Sequence, residues 1–519
     1  VNRGTRLDAW WQSRMTNPTA RRAWSFGAPL LVMLIAVLTR TWNLGHPAAL
    51  VFDETFYVKD AWTLWNLGYS SSWPEDADTQ FNAGQVDSYL TDGSFVVHPP
   101  LGKWLIGLGM VLFGADHAWA WRIGTAVAGI LGVALLMLVA KRMFRSTLIA
   151  SIAGFLFAID GNAIVMSRVG LLDVFVMLFA LAAFYFVLLD RHWSAGRLEA
   201  WLAVRRRDGR STDWGPALWW RPWLLAAGLA LGLCSAVKWN GLYFLAVFAL
   251  YTVFSDVIAR RRAGIRFSVY GTLLRQAPVT FVLMVPVAAA AYMSTWITWF
   301  TTSNGYGRDW AANGGSLPGL LGALPASLQS FLNYESDVYD YHVGESRPHD
   351  YQANPLTWLF LIRPTSMYYQ ASGPAEGCPT DSCGASITGL ANPLIWWAAT
   401  AAVLYLVYRF VRMPDWRTGL ILTGMVAGYV PWLQYLHRTV FQFYTIAFEP
   451  YMILALTFVL ALVLGSPRHR TRRRVIGLAL VAGFLVLATA LSVFFWPLWT
   501  GQQLTYDVLR LHWWFSTWI

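Results

Sequence analysis

Two neighbouring stretches decide how this chain folds: Ser25 to Trp42 (SFGAPLLVMLIAVLTRTW) and, past a short connection, Val51-Phe52-Asp53-Glu54-Thr55-Phe56-Tyr57-Val58-Lys59. The first is an apolar run of the length a membrane-crossing helix needs, since a hydrocarbon core of about 30 Å takes roughly 20 residues. The second places two adjacent carboxylates among aromatics directly outside that run, where a charge without a purpose is costly to keep.

Composition extends the same reading to the whole chain. Its 519 residues are 56% hydrophobic and 13% charged, carry 30 Trp and have a mean hydropathy of +0.43. A soluble domain carries about a quarter charged residues, and no train of short alternating segments suggests a β-barrel. The expectation is an all-α polytopic membrane protein, residues 1–519 forming one integral membrane unit. Eleven transmembrane helices are expected: Ser25–Trp42, Ala118–Ala140, Thr147–Val165, Val169–Leu189, Leu224–Trp239, Leu242–Val257, Pro278–Phe300, Pro393–Tyr408, Leu420–Leu436, Phe441–Leu464 and Val475–Trp496. The first is expected to stay as a span rather than be cleaved, because a basic tail precedes it and no small-residue cleavage site follows.

Charge gives an independent orientation. If the N-terminus is cytoplasmic, the inside segments 1–25, 141–147, 190–222, 256–276, 409–417 and 466–474 hold 28 of the 39 basic residues and 7 of the 28 acidic ones. That is the bias expected of cytoplasmic loops. Runs such as Arg205-Arg206-Arg207 and Arg472-Arg473-Arg474 therefore call for no nucleic acid partner. The expected location is the cell membrane, with two large extracytoplasmic loops, 43–117 and 301–392, and an outer C-terminal segment from Trp499.

In the first outer loop Val58, Ala61, Trp62 and Trp65 recur on one helical face, and two Trp suit the headgroup layer. Further on, His98-Pro99-Pro100 precedes Leu101–Gly114, an apolar run with Lys103 that is too short to span and reads as interfacial. Outside the inner loops, Arg122, Arg168, Lys238 and Arg438 come from four separate places to one membrane level. Singly, each can snorkel or pair with an acid, as Arg168 with Asp173; together they suit an anion such as a phosphate. Asp53 is either the N-cap of the surface helix, with Glu54 in its first turn, or a general base. The two roles are compatible, because a cap holds a carboxylate rigidly.

The segment Phe52 to Asp60, followed by His98-Pro99-Pro100-Leu101-Gly102-Lys103, Trp121-Arg122, Ser167-Arg168 with Leu171-Leu172-Asp173, Val237-Lys238-Trp239 and Arg438-Thr439-Val440-Phe441-Gln442-Phe443-Tyr444, resembles the protein O-mannosyltransferase family, and most of all its actinobacterial members. The resemblance implies a C-type glycosyltransferase architecture and a polyprenyl-phosphate-mannose donor. It also implies Ser or Thr acceptors on secreted or membrane proteins, with inversion at the sugar. Asp53 would be the base and Glu54 a substrate-positioning group. The family's donor cations would fall on Arg122, Lys238 and Arg438; from the cation set Arg168 is expected to join them at the donor phosphate, and His98, Lys103, Trp239 and Tyr444 are expected to position substrate, although a structural hydrogen bond also accounts for His98. A metal would need ligands that the sequence does not show, and assistance by a divalent cation stays open. Membrane lipids and the protein-export channel are the implied neighbours. The eukaryotic members carry a β-trefoil domain in the second outer loop, for which 301–392 is too short.

Within that loop Asn354 to Tyr369 is expected to lie against the membrane, and the Tyr-rich, acidic Tyr334–Asp350 reads as solvated or as touching acceptor. Cys378 and Cys383 are close enough in sequence for a disulfide in an oxidising compartment, and Cys234 reads as packing. Two other readings stay open. One is a glycosyltransferase of the same architecture moving another sugar to a lipid or glycan. The other is a secondary transporter, whose site would lie at the bilayer midplane between internal repeats.

Overall fold

The computed structural model describes residues 4–467 and 471–519; Arg3, Arg468 and Arg470, counted above on the basic face, lie outside them. Seven helices are long and apolar enough to cross a bilayer: Pro18–Thr41, Ala118–Phe144, Asp173–Arg207, Gly241–Arg262, Ser268–Thr295, Pro393–Arg412 and Thr471–Thr500. Each coincides with one expected span. The other four expected spans are shorter or broken. Thr147–Ile159 stops at Asp160 and restarts as Gly161–Met166. Pro222–Val237 has 16 residues. Trp416–Gly428 gives way to a 3-10 turn at Val430–Gln434, and Glu449–Leu464 is preceded by another at Gln442–Ala447.

By length alone seven helices among the described residues suffice to cross, and the expected eleven would include the four shorter or broken segments as well. At about 1.5 Å per residue a 16-residue helix reaches roughly 24 Å, less than the hydrocarbon thickness. The breaks have local causes. Asp160 caps the restarted helix through Asn162 N at 2.9 Å, and Pro431 and Pro450 sit in the first turns of the segments they begin.

One helix pair fixes much of the interior. Gly228 and Gly232, four residues apart, let Pro222–Val237 lie directly on the neighbouring Ala277–Thr295. A Cβ on Gly232 would stand 2.4 Å from the Ala288 carbonyl oxygen, and one on Gly228 would stand 2.7 Å from that of Met284. This is the small-xxx-small spacing by which membrane helices gain close van der Waals contact. The same helix runs out into Lys238. At its other end Arg221 sits between Asp190 at 2.5 Å and Asp256 at 2.6 Å, tying three helices together.

The outer loops carry more structure than the all-α expectation allows. Glu54–Leu67 and Leu101–Phe113 are helices packed on one another. Val58 and Ala61 are buried, as the periodicity requires. The Trp62 and Trp65 indoles donate to Asp87 at 2.9 Å and to the Trp104 carbonyl at 3.0 Å, which fixes both rings on the protein. The second loop holds a helix, Ala326–Gly344, where a solvated loop was one expectation. It also holds an antiparallel sheet in the order β1 (Thr365–Ser372), β2 (Cys383–Gly389), β3 (Gln503–Thr505), with Tyr369 opposite Ser386 and Gly384 opposite Leu504. Thus Asn354 to Tyr369, expected to lie along the membrane, turns through Pro355–Phe360 into β1. Its alternating backbone pairing satisfies groups that a membrane surface would leave bare. Cys378 and Cys383 are disulfide-bonded across the β1–β2 connection, and Cys234 is buried in a helix. Beside β3, the Gly501 carbonyl accepts from His46 Nε2 at 2.8 Å, joining the last helix to the first outer loop.

Substituting Gly232→Val should destabilise the protein by about 1–3 kcal/mol or more, because the added atoms meet backbone that cannot yield. A lower thermal transition in detergent, with no comparable loss for Gly196→Val, which has open space, is the expected result.

Candidate active site

The site is built around a turn that the chain cannot hold unaided. Between Thr41 and Glu54 the backbone leaves a helix, crosses a loop and enters another helix. Phe52 does so at φ +47°, a left-handed conformation that costs a bulky residue of order 1–3 kcal/mol. Three aromatic rings, of His349, Phe441 and Phe443, meet the Phe52 ring edge-on at 5.7–6.0 Å and hold it there.

Buried guanidinium groups fix the rest of the loop. Arg122 donates through Nε and Nη2 to the two oxygens of Glu54, both at 2.8 Å, and through Nη1 and Nη2 to the carbonyls of Leu44, Pro47 and Ala49. All five of its N–H groups are thereby used. Glu54 also accepts from the backbone N–H of Gly170 at 2.6 Å and of Val51 at 3.0 Å. Arg168 donates to the carbonyls of Thr39, Arg40, Trp42 and Asn43, closing the C-terminal end of the first long helix, where a cation is favoured. In this structure the hydrogen bonds of Arg122, Arg168 and Glu54, expected to hold the donor phosphate or to position substrate, go to the loop and to one another.

Asp53, one residue before Glu54, is placed differently. It stands at the N-cap of Glu54–Leu67, yet its side chain makes no capping bond. Burial pushes its carboxyl up to about 6, Lys238 pulls it back, Asp173 adds to the rise, and a hydrogen bond from Tyr57 favours the ionised form. The capping alternative is therefore not what holds it.

Lys238 and Arg438, the other two expected cations, do line a common cavity of about 290 Å³, together with Asp173, Trp239, Tyr243, Tyr339, His342, Trp432, Tyr435, Tyr444 and His98. Lys238 Nζ donates to Asp173 at 2.7 Å, so Asp173 pairs with Lys238 and not with Arg168. The same ammonium sits 5.0 Å from the Tyr444 ring centre and within 6 Å of Tyr57 and Phe443, an aromatic surround that suits a cation. Arg438 donates from Nη2 to His342 Nδ1 at 2.9 Å and keeps a buried Nε with no protein partner. His342 holds its other nitrogen 2.6 Å from the Val97 carbonyl, which requires a proton on Nε2 and a neutral ring. Burial first, then Arg438, brings His342 down to about 4. His98 stacks on it at 5.1 Å, and burial holds His98 well below the usual histidine range.

Of the expected positioning residues, His98, Trp239 and Tyr444 reach the cavity. Lys103 does not; it pairs with Asp60 at 3.3 Å and donates to the His98 carbonyl, pinning the turn behind it. The structure adds His342 and the aromatic wall of Tyr243, Trp432 and Tyr435, with 2.8 Å between the hydroxyls of Tyr243 and Tyr435. Beside Trp239, Tyr292 receives the indole N–H at 3.1 Å and donates to Glu335, whose carboxyl burial pushes up to about 7. Among the described residues no three His, Cys, Asp or Glu side chains gather as a metal site.

Comparison with known proteins follows the same outline. Residues 97–205 match the family "Dolichyl-phosphate-mannose-protein mannosyltransferase", and residues 327–518 match the "C-terminal four TMM region of protein-O-mannosyltransferase". A polyprenol-phosphate-mannose–protein mannosyltransferase of Mycolicibacterium smegmatis is 32% identical over 96% of this chain and 93% of its own length. A protein of the same description from Corynebacterium glutamicum is 30% identical over 94% and 92%. Among solved structures, the Saccharomyces cerevisiae protein O-mannosyltransferase Pmt1–Pmt2 complex bound to the sugar donor aligns with a TM-score of 0.69 over 100% of this chain and 95% of that one, at 16% identity, a likeness of fold.

Replacing Glu54 by Ala should cost about 3–5 kcal/mol, since it leaves the Arg122 charge buried and unpaired. Asp53→Asn should leave the thermal transition at pH 7.5 unmoved or slightly higher, because a carboxyl raised to about 6 is ionised there against its surroundings. Thermal denaturation of the two variants in one detergent separates the loop-holding acid from the reactive one.

Proposed function

The chain belongs to the protein O-mannosyltransferase family, and from that premise we propose that it transfers mannose from a polyprenyl-phosphate-mannose to Ser and Thr hydroxyls of proteins crossing or entering the membrane. The observation that carries the reading is the pairing of one poised carboxylate, Asp53, with a cavity whose cations are Lys238 and Arg438.

A Ser or Thr hydroxyl is a weak nucleophile near neutral pH. Asp53 takes its proton as the new bond to the sugar C1 forms, a contribution of typically 10²–10⁴-fold. The bond from C1 to the phosphate oxygen breaks in the same step, and its electrons leave with a polyprenyl phosphate. Lys238 and Arg438 hold that growing negative charge in a water-poor cavity, where fixed charges act most strongly. His342, neutral at working pH, accepts from Arg438 and keeps its guanidinium turned to the cavity. Direct displacement by one base inverts the sugar carbon, so a β-linked donor gives an α-mannoside. The aromatic walls accept the first isoprene units, and the sugar lies between Lys238 and Asp53.

The charge bias supports a cytoplasmic N-terminus and an extracytoplasmic site in the cell membrane. Acceptors would then be met as unfolded segments emerging from the export channel.

The direct experiment is transfer of labelled mannose from polyprenyl-phosphate-mannose to a Ser/Thr-rich peptide, with nucleotide-linked mannose as the parallel donor. The expected outcome is transfer from the lipid donor alone, reduced about 10²–10⁴-fold in Asp53→Asn with donor binding retained. Full activity in that variant would remove Asp53 from the mechanism, and donor consumption without peptide labelling would point to another acceptor. The pH profile is a second check. Below about pH 6 Asp53 is protonated, so kcat/KM should fall about tenfold per unit on that limb, and the same limb should be missing from the residual activity of Asp53→Asn.

A further inference from the structure

On the opposite side of the molecule from Asp53 a second cavity opens, of about 940 Å³. Its place follows from the helices that form it. The Ala118–Phe144 helix carries Arg122 at the active site and Arg142 at the cavity, 20 residues on and so roughly 30 Å along the axis. Asp173–Arg207 and Gly241–Arg262 likewise begin beside Lys238 and end there.

Six guanidinium groups line it: Arg142, Arg145, Arg191, Arg206, Arg262 and Arg417. None forms an ion pair among the described residues. Of the two carboxylates in the wall, Asp256 is already engaged by Arg221 at 2.6 Å, which leaves Glu199 against six cations. Arg191 and Arg417 flank one indole, Trp416, with their guanidinium carbons 4.8 Å and 5.6 Å from its ring centre. Arg417 Nε is buried without a hydrogen-bond partner. Two cations paired on one indole repel, and a buried unpaired N–H is costly; an anion seated between Arg191 and Arg417 relieves both. Between the arginines the wall is mixed, with Met143, Leu198, Leu202 and Ile258 beside His192, Ser194, Glu199 and Ser255. It therefore offers cations together with some apolar surface, near the level where helices leave the bilayer.

We propose that this cavity binds the phosphate headgroup of an anionic membrane lipid from the leaflet opposite the active site. Basic pockets between helices on the cytoplasmic side suit such headgroups. The apolar surface and the membrane level select a lipid over a soluble phosphate. The general excess of arginine on this face does not by itself make a site; Arg191 and Arg417 set on Trp416 at the cavity wall, with the Arg417 Nε left without a partner, do.

The test is native mass spectrometry of the full-length protein in mild detergent, offered cardiolipin or phosphatidylcholine, with inorganic phosphate as competitor. The wild type should retain one cardiolipin in preference to phosphatidylcholine. R191Q/R417Q should weaken that retention by about tenfold or more, whereas R472Q/R473Q, which removes two exposed arginines elsewhere on this face, should not. If R191Q/R417Q fails to fold, R142Q/R145Q, with both side chains exposed, serves in its place. Equal retention of phosphatidylcholine, equal loss in R472Q/R473Q, or displacement of cardiolipin by millimolar inorganic phosphate would each overturn the proposal.

Discussion

The buried pair of Glu54 and Arg122 is the constraint on which the outer face depends. Two charges taken out of water are expensive, and their attraction repays the cost only when every remaining donor and acceptor is also met. Here they are met: Arg122 spends its five N–H groups on Glu54 and three loop carbonyls, and Glu54 takes two further backbone N–H groups. The result is a loop with a single conformation. Its end is Phe52, held in a left-handed conformation by surrounding rings, with Asp53 next in line. Stability invested in one acid thus sets the neighbouring acid, uncapped, within electrostatic reach of Lys238 and Asp173.

Much of this was legible in the sequence. The apolar runs located every long helix, and the Asp-Glu pair marked the loop on which the site stands. What spacing could not do was tell apart residues of the same type. Arg122, Arg168, Lys238 and Arg438 occupy one membrane level, and only their hydrogen-bond partners separate two loop clamps from two cavity cations. Asp53 and Glu54 are likewise adjacent in sequence and opposite in environment. His342 carried no signal at all, being a lone histidine in a Tyr-rich stretch until folding set it against Arg438. The sheet was hidden because β1 and β2 are short and β3 comes from far along the chain, so its pairing is a long-range property. The Gly228 and Gly232 spacing was readable as a close helix contact, but apolar length alone does not draw attention to it.

The two sides of the molecule handle charge by opposite means. On the outer side nearly every ionic group is answered: Lys238 by Asp173, Lys103 by Asp60, Arg122 by Glu54. Arg438, at the cavity, is steadied instead by a neutral imidazole that supplies direction and no countercharge. That arrangement leaves the cation's full attraction for an incoming anion, whereas a carboxylate in the same place would have cancelled it. On the other side Arg221 is answered by Asp190 and Asp256, whereas the six arginines of the second cavity form no ion pair among the described residues.

The hydrogen bond between His46 and the Gly501 carbonyl, with β3 completing the sheet beside it, has a bearing on biosynthesis. His46 leaves the ribosome early and Gly501 more than four hundred residues later. The loop that carries Asp53 thus has one of its supports just past the helix Thr471–Thr500, and that contact can form only once this helix is in place.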